Sequence, residues 1–423
     1  MDFASQLDDL MKPFIKSMGK CDKTKLSTSD KKAYETLLIS LYQEIVQSNE
    51  TVFSAGCFKY EVVHIQSAEK DRVKRPSDYS KSRFFPGQIQ QYIKENELYQ
   101  LIFSCGNVGG REIRVYFSLF SEKDIEKNKL EIYVQQVRLM YIWLNICAKY
   151  AQPGCTRSLD IYIYPTPFTK NLPGSTATVL GPEHVNTAFT IACAPEGQLV
   201  IFREEEWFKV FIHETFHAYG LDFAQGGEEA KVFKKEIKSL FPINSEMDLY
   251  EAYTETWARI INCALCSFNT LAQKKDKKTF ITNVTFCLEL ERLFALYQCT
   301  KVLSFMGLHY QDIHVKNNYL RDKLYKENTH VFAYYIMTAI FLNDYPGFLL
   351  WCQRNNSVRL RFDMNAANFN AFAEYITSIY NCQTLLTGMD YMGKLNQQVN
   401  KGNKGKKNAL LLHTTRMSII HTI

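Results

Sequence analysis

Two histidines four residues apart, His213 and His217, stand in the stretch REEEWFKVFIHETFHAYG (203–220), with Glu214 directly after the first. On an α-helix, residues i and i+4 lie one turn apart on the same face, so two imidazoles at this spacing can converge on one ion. Zinc (Zn2+) accepts such nitrogen donors and, with three protein ligands, keeps a position for water. Glu214 can face that water and take its proton, which makes metal-assisted hydrolysis the chemistry to expect. The competing reading is two surface histidines on an ordinary amphipathic helix.

A third ligand is offered by NSEMDLYEAYTETWARIINCAL (244–265). Ser245 and Asp248 read as a capping box that opens a helix. On that helix Glu251 and Glu255 share a face, while Tyr250, Tyr253, Trp257 and Ile261 supply an apolar side for packing. One carboxylate can close the coordination sphere and the other can accept the distal N–H of a ligand histidine. Alternatively, Glu255 and Arg259 form an i,i+4 pair on a surface helix. Hydrolysis also needs a hydrogen-bond donor for the oxyanion. In NTHVFAYYIMTAIF (328–341), His330 and Tyr334 are one turn apart. Tyr334 is the candidate donor; the alternative is an aromatic core residue. His309 and His314 fall on different helical faces, and nothing in the sequence pairs His184 with a nucleophile.

HETFH followed on a later helix by EAYTE resembles the gluzincin branch of zinc metallopeptidases, whose pattern is HExxH, then Glu, often with an acid four further on. The resemblance covers roughly 199–264. It implies His213, His217 and Glu251 as zinc ligands and Glu214 as general base and acid. Glu255 falls where the family's supporting carboxylate stands, with Glu251 favoured over Glu255 as the ligand. It also implies that the strand before the active helix, QLVIF (198–202), is the sheet edge along which an extended peptide binds. REEEWFKVFIHETFHA is similar, too, to uncharacterised peptidases of large DNA viruses. The gap between His217 and Glu251 is long for the family and implies an insertion. The aminopeptidase motif Gly-x-Met-Glu-Asn is absent, so an endopeptidase is the expectation.

The elements that must position these residues are legible in outline. Glu204, Glu205 and Glu206 are expected in the first turn of the active helix, where carboxylates suit the helix dipole, and Gly220 is expected to stop it. Before it come two strands around an Asn-Val-Gly-Gly turn (LYQLIFSCGNVGGREIRVYFSLF), a long helix over 125–150, the strand LDIYIYPT, and two strands, TAFTIACA and QLVIF, joined at PEGQ. The first fifty residues read as helical, 72–88 as a loop, and the region from about 220 to 380 as almost wholly helical. The fold class expected is α+β: a zincin-like mixed sheet with the active helix, followed by a mainly helical lobe. The divisions are 1–94 (helices and a basic loop), 95–222 (mixed α/β), 223–390 (helical) and 391–423 (basic).

The chain has 423 residues, 46% of them hydrophobic and 22% charged, the composition of a folded globular protein. The amino terminus carries acids where a secretory signal carries bases, and the longest apolar run, VFAYYIMTAIFL (331–342), is too short to span a bilayer. No membrane role is expected. Twelve cysteines lie mostly in apolar segments without paired spacing, and Cys263–Cys266 has no second pair to complete a zinc site, so reduced core thiols are expected. These readings point to the cytoplasm, or, for a viral protein, to the host cytoplasm or the virion. The net charge of +6 includes Lys401, Lys404, Lys406 and Lys407, a flexible basic segment that reads as a solvated loop before a last strand or helix; the alternative is a contact with nucleic acid. A peptide or protein substrate is the partner expected. The rival functions are a zinc-bearing pseudoenzyme that binds a partner and a nucleic-acid-associated protein that works through this tail.

Overall fold

The computed structural model describes residues 3–56, 58–66, 70–77, 84–401 and 409–421. Two helices, α1 (Phe3–Ser17) and α2 (Thr28–Ala55), precede β1 (Tyr60–His64) and α3 (Gly87–Asn96). The hairpin β2 (Tyr99–Val108) and β3 (Arg111–Leu119) turns at Gly109 and Gly110, both with positive φ, the backbone that a two-residue hairpin turn requires. There follow α4 (Lys127–Tyr150), β4 (Ser158–Ile163), the single turn α5 (Pro182–Val185), β5 (Ala188–Thr190), β6 (Glu196–Ile201) and α6 (Trp207–Ala218).

The strands form one mixed sheet in the order β1-β2-β3-β4-β6-β5, parallel at β3/β4 and β4/β6 and antiparallel elsewhere. Strand periodicity sorts the side chains to two faces. Ile102, Tyr116, Tyr162, Val200 and Phe202 pack with Ile89 and Ile93 of α3. Phe103, Phe117, Ile161, Leu199 and Ile201 belong to the main core with α4 and α6. The strand QLVIF therefore is not the sheet edge. It pairs with β4 on one side and β5 on the other, and β5, three residues long, is the edge strand beside it.

Beyond α6 the chain is helical: α7 (Gly227–Leu240), α8 (Leu249–Asn269), α9 (Lys277–Phe305), α10 (Tyr310–His314), α11 (Tyr319–Leu324), a π-helical turn (Phe332–Met337), α12 (Thr338–Asn343), α13 (Tyr345–Asn355), α14 (Ala366–Ile379), α15 (Gln383–Lys401) and α16 (Ala409–His413). The chain is thus α+β with a mixed open sheet. Its main core is continuous from Leu10 to Ile420. Among the described residues no helix is long and apolar enough to cross a membrane.

The carboxyl-terminal segment is the least expected part. Lys404, Lys406 and Lys407 lie outside the described residues, but Leu411, Leu412, Met417, Ile419 and Ile420 are buried, and so are Thr414, Thr415, Arg416 and Ser418. Its backbone needs acceptors away from water, and two buried carboxylates provide them. Glu206 Oε1 accepts from Met417 N at 2.8 Å, and Glu291 Oε1 accepts from Ile419 N and Ile420 N, each at 2.9 Å. Lys301 Nζ donates to Leu411 O at 2.9 Å.

The same contacts correct the reading of Glu204–Glu206. They precede the helix instead of filling its first turn, because Glu206 takes a left-handed conformation (φ 60°) at the N-cap. Glu205 accepts from Lys170 N at 2.7 Å, and Glu206 pairs with Lys170 Nζ at 2.6 Å. Ser245 and Asp248 form no capping box at the start of α8; Asp248 is the N-cap without a side-chain cap, and its carboxylate turns to His330 and Lys234. The expectation of thiols alone fails at one pair: Cys155 and Cys193 form a disulfide, while eight other described cysteines, Cys263 and Cys266 among them, are thiols.

Candidate metal centre

All twelve residues of α6 are buried, polar ones included. A helix enclosed on every side must satisfy its polar groups internally, and Lys209, Thr215 and the two histidines do so. The Thr215 hydroxyl accepts from Trp143 Nε1 at 2.6 Å, with the indole stacked on Phe216. Lys209 Nζ reaches both oxygens of Glu255 at 2.9 and 3.0 Å. His213 and His217 are 5% and 7% exposed, so neither is a surface histidine. The helix ends at Tyr219, with Gly220 at φ 64°, as a helix stop requires.

Helix α8 crosses α6 and presents Glu251 and Glu255 to opposite sides of the His213 ring. Glu251 Oε2 lies 3.0 Å from His213 Nε2 and 3.3 Å from His217 Nε2, and the two Nε2 atoms are 3.1 Å apart. Glu255 Oε2 lies 3.0 Å from His213 Nδ1. His217 Nδ1 meets Asp222 Oδ2 at 2.6 Å, and Asp222 Oδ1 is fixed by Ala224 N at 2.7 Å. Asp222 was not singled out in the sequence; the available signal was an acid two residues past the glycine that ends the helix.

Carboxylates only accept, so both Nδ1 atoms carry protons; in a neutral ring the lone pair of Nε2 then points inward. Two such lone pairs and a carboxylate oxygen then face one another at 3.0–3.3 Å, an arrangement that repels unless a positive charge sits among them. The charge distribution says the same. Burial by itself lowers an imidazole, yet Glu251 and Asp222 outweigh it and hold His217 well above its ordinary value. Burial by itself raises a carboxyl, yet His217 and His213 hold Glu251 well below the usual range. Protons can supply the missing charge, and so can a metal ion.

The geometry fits an ion. Tetrahedral zinc with bonds of about 2.0–2.1 Å spaces its ligand atoms about 3.3 Å apart, close to the sides of the observed triangle. Two imidazole nitrogens and one carboxylate oxygen are also a donor set zinc accepts. His213, His217 and Glu251 could therefore hold a metal ion. Glu255 is occupied elsewhere: besides His213 it binds Lys209 and, at 2.9 Å, Arg259 Nε. The i,i+4 pair read from the sequence exists, but it is buried and lies behind the histidine.

Glu214 and Tyr334 reach the same place from different elements. A cavity of about 30 Å³ is lined by Thr187, Ala188, Val210, His213, Glu214 and Tyr334, among others. A water needs roughly 10–15 Å³ of such volume, so the space admits water. Burial raises the Glu214 carboxyl above its ordinary value, against the pull of both imidazoles. The Tyr334 hydroxyl donates to Glu251 Oε2 at 3.0 Å, and its burial beside Glu251 and Glu214 keeps it protonated at neutral pH. One turn earlier, His330 Nδ1 meets Asp248 Oδ2 at 3.2 Å, and its ring packs edge-on against Tyr334. His184, His309 and His314 are not part of this group.

Comparison of the chain with protein-family models, with curated proteins and with solved structures returned no match.

Proposed function

We propose that this chain is a zinc-dependent peptidase of gluzincin type, with His213, His217 and Glu251 as ligands. The observation that carries the reading is the triangle of inward-facing donors, backed by Glu255 and Asp222, with Glu214 and Tyr334 on the adjoining cavity. Zinc bound there would polarise a peptide carbonyl and acidify a water. The remaining work belongs to the chain. Glu214, on the cavity beside the ligands, takes a proton from water and hands it to the departing amine. Tyr334, once Glu251 is taken up as a zinc ligand and its own hydroxyl proton is freed, donates a hydrogen bond to the oxygen that gains charge. β5, paired on one side only in the sheet, offers its backbone to an extended peptide, which fits an endopeptidase.

The test compares wild type with Glu214→Gln, both carrying verified zinc, on a diverse peptide mixture read by mass spectrometry. New termini are expected with wild type alone. Cleavage by both proteins would remove Glu214 from the mechanism. Cleavage by neither would favour a zinc-bearing protein that only binds its partner.

A further inference from the structure

The last carbonyls of a helix find no partner within it, and in α6 those carbonyls are taken up by two neighbouring loops. Cys193 N donates to His217 O at 3.0 Å, Gln152 N donates to Tyr219 O at 3.1 Å, and the Thr156 hydroxyl donates to Ala218 O. One cysteine from each loop forms the Cys155–Cys193 disulfide. Cys155 Sγ packs so closely on the helix stop that a Cβ added at Gly220 would lie 3.0 Å from it. The bond thus sits directly on the end of the helix that carries the metal ligands, and one of its two residues donates to the carbonyl of His217 itself.

The bridge also closes a segment with a separation of 38 residues. That segment carries β4, the turn at Val185–Thr187 and the edge strand β5, which together include one wall of the cavity beside Glu214. Thr156 (φ 52°) and Cys193 (φ 53°) hold left-handed backbone, which side chains other than glycine adopt only when the surroundings impose it. With the bridge open, both residues can leave that conformation and take their hydrogen bonds with them. Eight other cysteines remain thiols, so the chain is not built on a disulfide framework. Cys193 is half-buried, whereas Cys155 is buried, so Cys193 is the more open of the two to a small thiol.

We propose that Cys155–Cys193 is a redox-controlled clasp on the metal helix, closed in the metal-binding form and opened by a dithiol reductant. The proposal rests on the reading of His213, His217 and Glu251 as a metal centre. In the opening step a thiolate of the reductant attacks the Cys193 sulfur and Cys155 leaves as a thiolate that takes up a proton. The second thiol of the reductant then closes its own disulfide and releases Cys193 as a thiol. One S–S bond is broken in the chain, one is formed in the reductant, and two thiols result.

The test uses full-length protein in three forms: oxidised, reduced with dithiothreitol, and Cys155→Ala/Cys193→Ala. Peptide mapping establishes the state of the bond, a chelator competition measures zinc affinity, and hydrogen exchange follows the amides of 215–221. The oxidised form is expected to bind zinc at least about tenfold more tightly than the reduced form, the scale on which supporting contacts act on metal sites. The variant should match the reduced form and ignore dithiothreitol, and reoxidation of wild type should restore both affinity and protection. Equal affinity and equal protection in the oxidised and reduced forms would overturn the clasp, and so would a pair of cysteines that stays reduced under oxidising conditions. Zinc absent from both redox forms would instead sink the metal centre, a result separable from the first because exchange at 215–221 still reports whether the bond holds the helix end.

Discussion

His217 Nδ1 lies 2.6 Å from Asp222 Oδ2, although the helix that carries the histidine has already ended between them. The turn at Gly220 folds the chain back so that an acid five residues on supports the ring. Asp222→Asn keeps an acceptor and removes the charge. It is expected to weaken zinc binding about 10–100-fold while the protein stays folded. A chelator competition on both proteins checks this; unchanged affinity would mean that the pair only braces the turn.

Glu251 and Glu255 should fail in different ways. Glu251→Gln is expected to abolish zinc binding in a protein that remains folded. Glu255→Gln leaves Lys209 and Arg259 buried beside a neutral amide, which costs about 3–5 kcal/mol. Urea titrations of the metal-free proteins, together with zinc content, separate the two. Zinc lost with Glu255 and kept without Glu251 would reverse the ligand assignment.

Removing the carboxyl-terminal segment after residue 408 should prevent folding. Leu411, Leu412, Met417, Ile419 and Ile420 are buried, each contributing about 1.5–3 kcal/mol by leaving water, and Glu206 and Glu291 would lose their backbone partners. The total rivals the whole stability of a typical domain, about 5–15 kcal/mol. Circular dichroism and solubility of the shortened chain are the readouts; a cooperative melt at the wild-type temperature would refute the expectation.

Two buried groups outside the candidate metal centre set a pH dependence. Burial pushes Lys301 down to about 7, below its unfolded value, so the unfolded chain holds the extra proton from about pH 7 up to the ordinary lysine range. Stability rises with pH across that window, by up to about 1.4 kcal/mol per unit. Burial lifts Glu327 to about 7, so the folded chain holds the extra proton between the ordinary glutamate range and neutrality, and stability falls as pH rises there. Denaturant melts from pH 4.5 to 10 should therefore show Lys301→Met losing the alkaline rise and Glu327→Gln losing the acid-side fall.

What could be read from the sequence depended on how local each cause was. His213, His217, Glu251 and Glu255 are helix neighbours two by two, so helical spacing alone predicted which of them share a face. The β2–β3 hairpin was equally local, with two glycines at its turn. The position of QLVIF was not, because the pairing of β6 with β4 is a long-range event. Its unbroken apolar run did carry a hint of an interior strand, buried on both faces. The acids at Glu204–Glu206 read as helix-start charges because Lys170, Met417 and Ser418, their partners, are distant in the chain. The disulfide left no mark in spacing, and the burial of Thr414–Ser418 depends on carboxylates of other elements, which the segment's own residues do not reveal.

The burial of the carboxyl-terminal segment orders events in time. All three candidate ligands, and the helices that carry them, leave the ribosome well before residues 409–421 do. Until those residues arrive, Glu206 lacks the amides of Met417 and Ser418, and Met417 is missing from the cavity beside Glu214. The contacts of Glu206 and the wall of the cavity beside Glu214 are therefore complete only once Met417 and Ser418 have been made, and a nascent chain that already contains HETFH still lacks them.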